Sequence, residues 1–131
     1  MPARKFQLRP LIARESSHQV ALFRWAALFS RQHPELECLH SVPNGGYGLP
    51  IQTAVRLKRE GLRRGYPDVS LPIGRGGYHS LLIEMKSAVG IVRPEQKEWH
   101  VRLRRWGNKV AVCRGWEEAS HVILDYLGRA R

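Results

Sequence analysis

An acid at Asp68, then an acid and a lysine one residue apart at Glu84 and Lys86, interrupt the stretch GYPDVSLPIGRGGYHSLLIEMK (Gly65 to Lys86), which is otherwise apolar enough for buried sheet. Side chains alternate faces along a strand, so Glu84 and Lys86 project from one side while Ile83 and Met85 project from the other. Asp68 follows a proline at the mouth of the preceding strand, and a hairpin returns the chain beside it, so the Asp68 and Glu84 carboxylates converge near a strand end. Two close carboxylates repel unless a divalent cation lies between them. Mg²⁺ suits a few hard oxygens plus water and phosphate, and the Met85 carbonyl offers one more oxygen. An ammonium two residues from such a carboxylate positions or helps deprotonate a water, or steadies charge on phosphate oxygens. The implied reaction is phosphodiester hydrolysis by in-line attack of water. The plainer alternative is an ion pair of Glu84 with Lys86 on a solvated strand face, with Asp68 capping the turn after Pro67.

The elements that hold these residues follow from apolar spacing. A first helix is expected from about Arg14 to His33, stopped by Pro34, with Leu22, Ala26 and Phe29 on one face and Glu15 on the same line. That line argues for an inward Glu15; a first-turn acid favoured by the helix dipole is the alternative. LECLHSV (Leu36 to Val42) reads as a strand and PNGGYGLP as a loop. Pro50 starts a second helix with Ile51, Val55 and Leu62 in one stripe and Arg56, Arg59 and Arg63 beside it. Asp68 to Pro72 and Tyr78 to Lys86 read as strands joined by the glycine-rich IGRGG hairpin. GRGG within it is a plain turn or a place for backbone to approach DNA. A third helix begins near Pro94, carries Trp99, Leu103 and Trp106 as its inward stripe, and ends at Gly107-Asn108. KVAVC (Lys109 to Cys113) is a strand and WEEASHVILDYL (Trp116 to Leu127) a closing amphipathic helix. This order predicts an α/β fold, a mixed central sheet flanked by helices.

The chain has 131 residues, 43% of them hydrophobic, which is enough for one domain with its own core over 1–131, residues 1–13 being a basic N-terminal segment. Lys and Arg outnumber Asp and Glu by 22 to 11, a net +11 that favours a polyanionic partner, nucleic acid first. Arg56, Arg59, Arg63 and Arg64, just ahead of Asp68, are the expected phosphate contacts, with Lys97, Arg104 and Arg105 a second cluster; a merely solubilising face is the alternative. Cys38 and Cys113 form no metal-ligand pattern and read as buried thiols. The six histidines make no catalytic pattern, and Trp25, Trp99, Trp106 and Trp116 read mostly as core. No signal peptide or membrane span is legible, so a cytoplasmic protein of a bacterial or phage-infected cell is expected.

The arrangement P-D, hairpin, E-x-K resembles the PD-(D/E)XK nuclease superfamily. The longer set is similar to its VRR-NUC branch, found in stand-alone phage and bacterial nucleases and in the Fanconi-anaemia-associated nuclease. That set is Glu15, SVPNGG (Ser41 to Gly46), GYPDVSL (Gly65 to Leu71), LLIEMKS (Leu81 to Ser87), RPEQKEWHVRLRRWGNKVAVC (Arg93 to Cys113) and the final helix. The resemblance implies a restriction-endonuclease-like core in which Asp68 and Glu84, with Met85, hold Mg²⁺ or Mn²⁺. It further implies that Lys86 serves the water or the phosphate, that Glu15 reaches the metal directly or through water, and that Gln96 completes the site. Small stand-alone members resemble symmetric homodimers that resolve four-way junctions, and no appended domain is legible here. The expectation is therefore a structure-selective DNA endonuclease working on branched DNA as a homodimer, without a membrane or a small-molecule cofactor. A flap-, end- or nick-directed nuclease with the same site is the enzymatic alternative, and a non-catalytic basic nucleic-acid-binding module the alternative from another class.

Overall fold

The structure, a computed structural model, describes residues 15–43 and 49–131. The basic segment 1–13 and the stretch 44–46 of SVPNGG lie outside the described residues. Helix α1 (Glu15–Phe29) is followed by a 3-10 turn (Pro34–Cys38), strand β1 (His40–Ser41), α2 (Ile51–Arg59), β2 (Val69–Leu71), β3 (Leu81–Lys86), α3 (Pro94–Arg105), β4 (Lys109–Arg114) and α4 (Trp116–Leu127). The sheet has the order β1-β2-β3-β4. β1, β2 and β3 pair antiparallel, while β3 and β4 run parallel with Glu84 opposite Val112. A parallel pair needs a long crossover, and α3 is that crossover. The expected α/β class and mixed sheet are both present.

β3 is the centre of the molecule, with all six of its residues buried. One of its faces sends Leu81, Ile83 and Met85 into the apolar core, where they meet Leu22 and Ala26 of α1 and Ala119, Ile123 and Tyr126 of α4. The other face carries Glu84 and Lys86, and α3 covers Glu84 with Gln96. The alternation expected of this strand thus separates an oily layer from a charged one.

Several element expectations need correction. α1 ends at Phe29, short of His33, because proline at 34 disfavours helical backbone in the residue before it and begins a 3-10 turn instead. Within the expected strand Leu36 to Val42, only His40–Ser41 pairs. Leu36 and Leu39 are buried three residues apart, the spacing that stacks side chains in a 3-10 turn. The Ile51, Val55 and Leu62 stripe of α2 is not a core face: Ile51 is 82% exposed, and the helix buries no residue. Trp106, which follows the last residue of α3, is 72% exposed, and the buried residues of that helix are Gln96 and His100. Cys113 is buried as expected, its thiol pushed up to about 12 by burial and then by the Glu118 charge, whereas Cys38 is exposed.

The strand and helix ends that matter to the charged layer are set by local chemistry. Gly107 (φ +88°) stops α3 in the left-handed conformation, and the Asn108 side-chain amide donates to the Leu103 carbonyl at 3.0 Å. The 73–77 hairpin is tied to the chain end by Gly76 N–H donating to the Ala130 carbonyl at 2.7 Å, which supports the plain-turn reading of GRGG. Arg75 beside it is buried and paired with Glu35 at 3.0 Å.

Candidate active site

Asp68 stands immediately before β2, where its carbonyl accepts the Val42 N–H at 2.7 Å and its carboxylate Oδ2 accepts the Met85 N–H at 2.8 Å. The second bond locks the Asp68 side chain onto the strand that carries Glu84. Both main-chain polar groups of a paired strand residue face the same neighbour, so the Met85 carbonyl is directed to the side where Asp68 stands. Gly65 makes this approach feasible. At φ +91° it lays the chain before Asp68 against the first turn of α3, and an added Cβ would meet the Glu95 carbonyl group at 3.0 Å.

Glu84 is 1% exposed. Its Oε1 accepts from the Gln96 Nε2 at 2.8 Å and lies 3.7 Å from the Lys86 Nζ. Gln96 is oriented by the helix start itself: its Oε1 accepts the Arg93 N–H at 2.8 Å, so only the amide nitrogen is left to face the carboxylate. The other Glu84 oxygen, Oε2, is buried without a hydrogen-bond partner among the described residues, as is His100 Nε2, 3.8 Å away. Burial pushes the Glu84 carboxyl above its ordinary range; His100 pulls it down, the Asp68 charge pushes it up and Lys86 pulls it down. An orphaned, desolvated carboxylate oxygen beside a second carboxylate is what a cation binding there would satisfy. Among the described residues no three His, Cys, Asp or Glu side chains gather as a metal-ligand cluster. A pair of carboxylates with one main-chain oxygen leaves the rest of a cation's shell to water and phosphate, which fits Mg²⁺ or Mn²⁺.

Lys86 is almost wholly buried, and its Nζ lies 4.0 Å from Glu15 Oε1. The Glu15 side chain is 48% exposed, which corrects the inward, buried acid expected from its helical line. It stands at the rim, where an open cleft of about 460 Å³ is lined by Glu15, Lys86, Gly90, Ile91, Val92 and Arg93. Gly90 closes against both charges: a Cβ there would lie 3.2 Å from Glu15 Oε1 and 3.3 Å from Lys86 Cδ. Asp68, Glu84, Lys86 and Gln96 are therefore one connected group, and Glu15 joins it through the lysine.

His100 is the residue that pattern reading missed. The sequence signal was its spacing of four from Gln96, which puts both on one face of α3, but polar residues at that spacing ordinarily mark a solvated face. Of the basic residues, Arg56, Arg59, Arg63 and Arg64 are all exposed, and Arg56 pairs with Glu60 at 3.4 Å. Arg63 and Arg64 line a second cleft of about 400 Å³ between α2 and α3, where Lys58, Trp99 and Arg102 join them. Arg56 and Arg59 stand outside it. Within the second cluster, Arg104 donates to the Val110 carbonyl at 3.1 Å, while Lys97 borders a shallow hollow with Arg102.

Comparison with known proteins points to one family. A family model of the VRR-NUC domain matches residues 8–117. A solved structure described as a VRR_NUC domain protein superposes with a TM-score of 0.76 at 29% identity, covering 90% of this chain and 91% of that one. No curated protein matches.

Proposed function

We propose, from the premise that this chain belongs to the VRR-NUC domain family and is thereby a nuclease of the PD-(D/E)XK type, that it is a divalent-metal-dependent endonuclease for branched DNA. The best-supported substrate is the four-way junction, cut by a homodimer. One observation carries the catalytic part: the buried Glu84 carboxylate, held by Gln96 on one oxygen, has no hydrogen-bond partner among the described residues for the other, which feels the Asp68 charge. Asp68, Glu84 and the Met85 carbonyl would hold Mg²⁺ or Mn²⁺, which supplies polarisation of the scissile phosphate and neutralises its growing charge. Lys86, confined by Glu84 and Glu15, steadies a phosphate oxygen or orients the attacking water. Gln96 fixes the angle of Glu84, and Glu15 keeps the ammonium at the rim.

The net +11 and the exposed arginines of the segment ahead of Asp68 support nucleic acid as the substrate. None of the described elements is a recognised base-reading module, so selection rests on phosphate geometry and shape. Twofold symmetry of a dimer would match the pseudo-twofold of a four-way junction and put two sites on opposed strands.

The test is cleavage mapping on labelled four-way junction, flap, splayed-arm and linear duplex DNA in Mg²⁺ and Mn²⁺, with sedimentation to measure the oligomer. The junction is expected to be cut fastest. Asp68→Ala, Glu84→Ala and Lys86→Ala are each expected to lose cleavage by on the order of 10²-fold or more while still binding DNA in chelator. Linear duplex cut as fast as the junction would remove the structure preference, and undiminished cleavage by all three variants would remove the site.

A further inference from the structure

The cleft between α2 and α3 has a composition that phosphate contact alone does not explain. Lys58, Arg63, Arg64 and Arg102 surround an indole, Trp99, over a floor that includes Leu62. The Arg102 guanidinium lies 5.2 Å from the centre of the Trp99 ring, and Tyr66 meets that ring edge-on at 5.2 Å. Arg64 is also within 3.9 Å of the Glu95 carboxylate at the edge of this region. Trp99 is thus fixed on one side by Tyr66 and layered on another by a planar cation, while three further cations stand within reach of a backbone.

Cations that track phosphates and a flat π surface that takes bases are the two parts of a single-strand groove. Guanidinium planes stack on bases as aromatic rings do. Duplex bases have both faces covered by their neighbours, so only an unpaired base can use such a surface. A cleft of about 400 Å³ has the volume of a small-ligand pocket, not of a duplex groove. Its place is equally specific. Trp99 follows Gln96 by three residues on α3, less than one helical turn along the axis, and Gln96 is bonded to Glu84.

We infer that the α2–α3 cleft binds one unpaired nucleotide of single-stranded DNA, its base stacked on the Trp99–Arg102 pair and its phosphates on Lys58 and Arg63. The inference rests on the DNA-nuclease reading above and deepens it. Flaps, strand ends and pairs frayed at the crossover of an open junction offer such unpaired bases, which continuous duplex lacks, so the cleft ties structure selection to the neighbourhood of Glu84.

The test is binding in chelator of a single-stranded oligonucleotide carrying one 2-aminopurine, and of a duplex of equal length, to the full chain. Wild type is expected to quench the 2-aminopurine and to prefer the single strand. Trp99→Leu and Arg102→Ala are expected to lose the quenching and to weaken single-strand binding about 5- to 100-fold, with duplex binding changed far less. Arg102→Lys keeps the charge and is expected to keep the salt dependence without the quenching. Arg24→Ala, an exposed charge on α1, should behave as wild type. The inference is overturned by variants that quench and bind like wild type, or by single-strand and duplex affinity falling together, which would mark a plain phosphate patch. Because Arg102 is exposed, its variants keep the test valid where Trp99→Leu fails to fold. Cleavage of junctions by wild type with no Trp99-dependent quenching would leave the nuclease and remove the cleft. Trp99-dependent quenching in a protein that cuts no DNA would do the reverse.

Discussion

Strand β3 and helix α2 use the same residue types to opposite ends. β3 buries all six of its residues, Glu84 and Lys86 among them, whereas α2 buries none and ends in Arg56, Lys58 and Arg59. A buried polar group left unmatched costs about 1–3 kcal/mol, so the placement of Glu84 and Lys86 matters: Gln96 holds one Glu84 oxygen at 2.8 Å, and Lys86 lies between Glu84 and Glu15 at 3.7 and 4.0 Å. An exposed charge is screened within about a Debye length and acts by number more than by placement. On the proposed function, chemistry belongs to the first region and capture of a polyanion to the second.

That contrast makes unequal predictions. Gln96→Ala strips the buried carboxylate of its oriented donor, and cleavage is expected to fall about 10- to 100-fold in single-turnover assays, with the fold retained by circular dichroism. A variant at wild-type rate would mean that Glu84 needs no positioning. Gly65→Ala adds a methyl at φ +91° against the Glu95 carbonyl group and is expected to cost about 1–3 kcal/mol in urea unfolding. A neutral result would show that the approach to α3 is loose.

Glu84→Gln tests the desolvated charge through pH. The folded carboxyl is raised above its ordinary 4.5, so its contribution to stability is complete below that value and is lost as pH climbs through the raised one. In chelator the variant should therefore gain stability over wild type at pH 8 relative to pH 4. Added Mg²⁺ should raise the Tm of wild type only. Parallel pH profiles for the two proteins would sink this account. The smallest effect is expected at Arg59→Ala on α2, a few-fold loss in DNA affinity with the salt slope reduced by about 1. A loss of cleavage without a loss of binding would place Arg59 in the wrong region.

The legibility of the two regions differs in the same way. Strand alternation marked Glu84 and Lys86 as facing together, and the Gly-Asn stop placed the end of α3, because both follow from backbone geometry within one element. Pro34 misled in the other direction, since proline marks an interruption without saying whether a strand or a 3-10 turn comes next. The apolar stripe of α2 had the right period, yet no partner among the described residues covers Ile51.

From its residue order alone this chain determined one charged face on β3, an Asp68 close to it, a basic segment ahead of it and the α/β class, all consequences of local periodicity and turn chemistry. Only the tertiary structure decided that Gln96 and His100 would be the buried side of α3, that Glu15 would sit at the rim on Lys86, and that Trp99 and Arg102 would meet Lys58 and Arg63 across a cleft. A periodic pattern says which side chains share a face of an element. What stands opposite that face depends on how the parallel β3–β4 pair and its crossover helix pack, and the same helical spacing accommodates either an apolar or a charged partner.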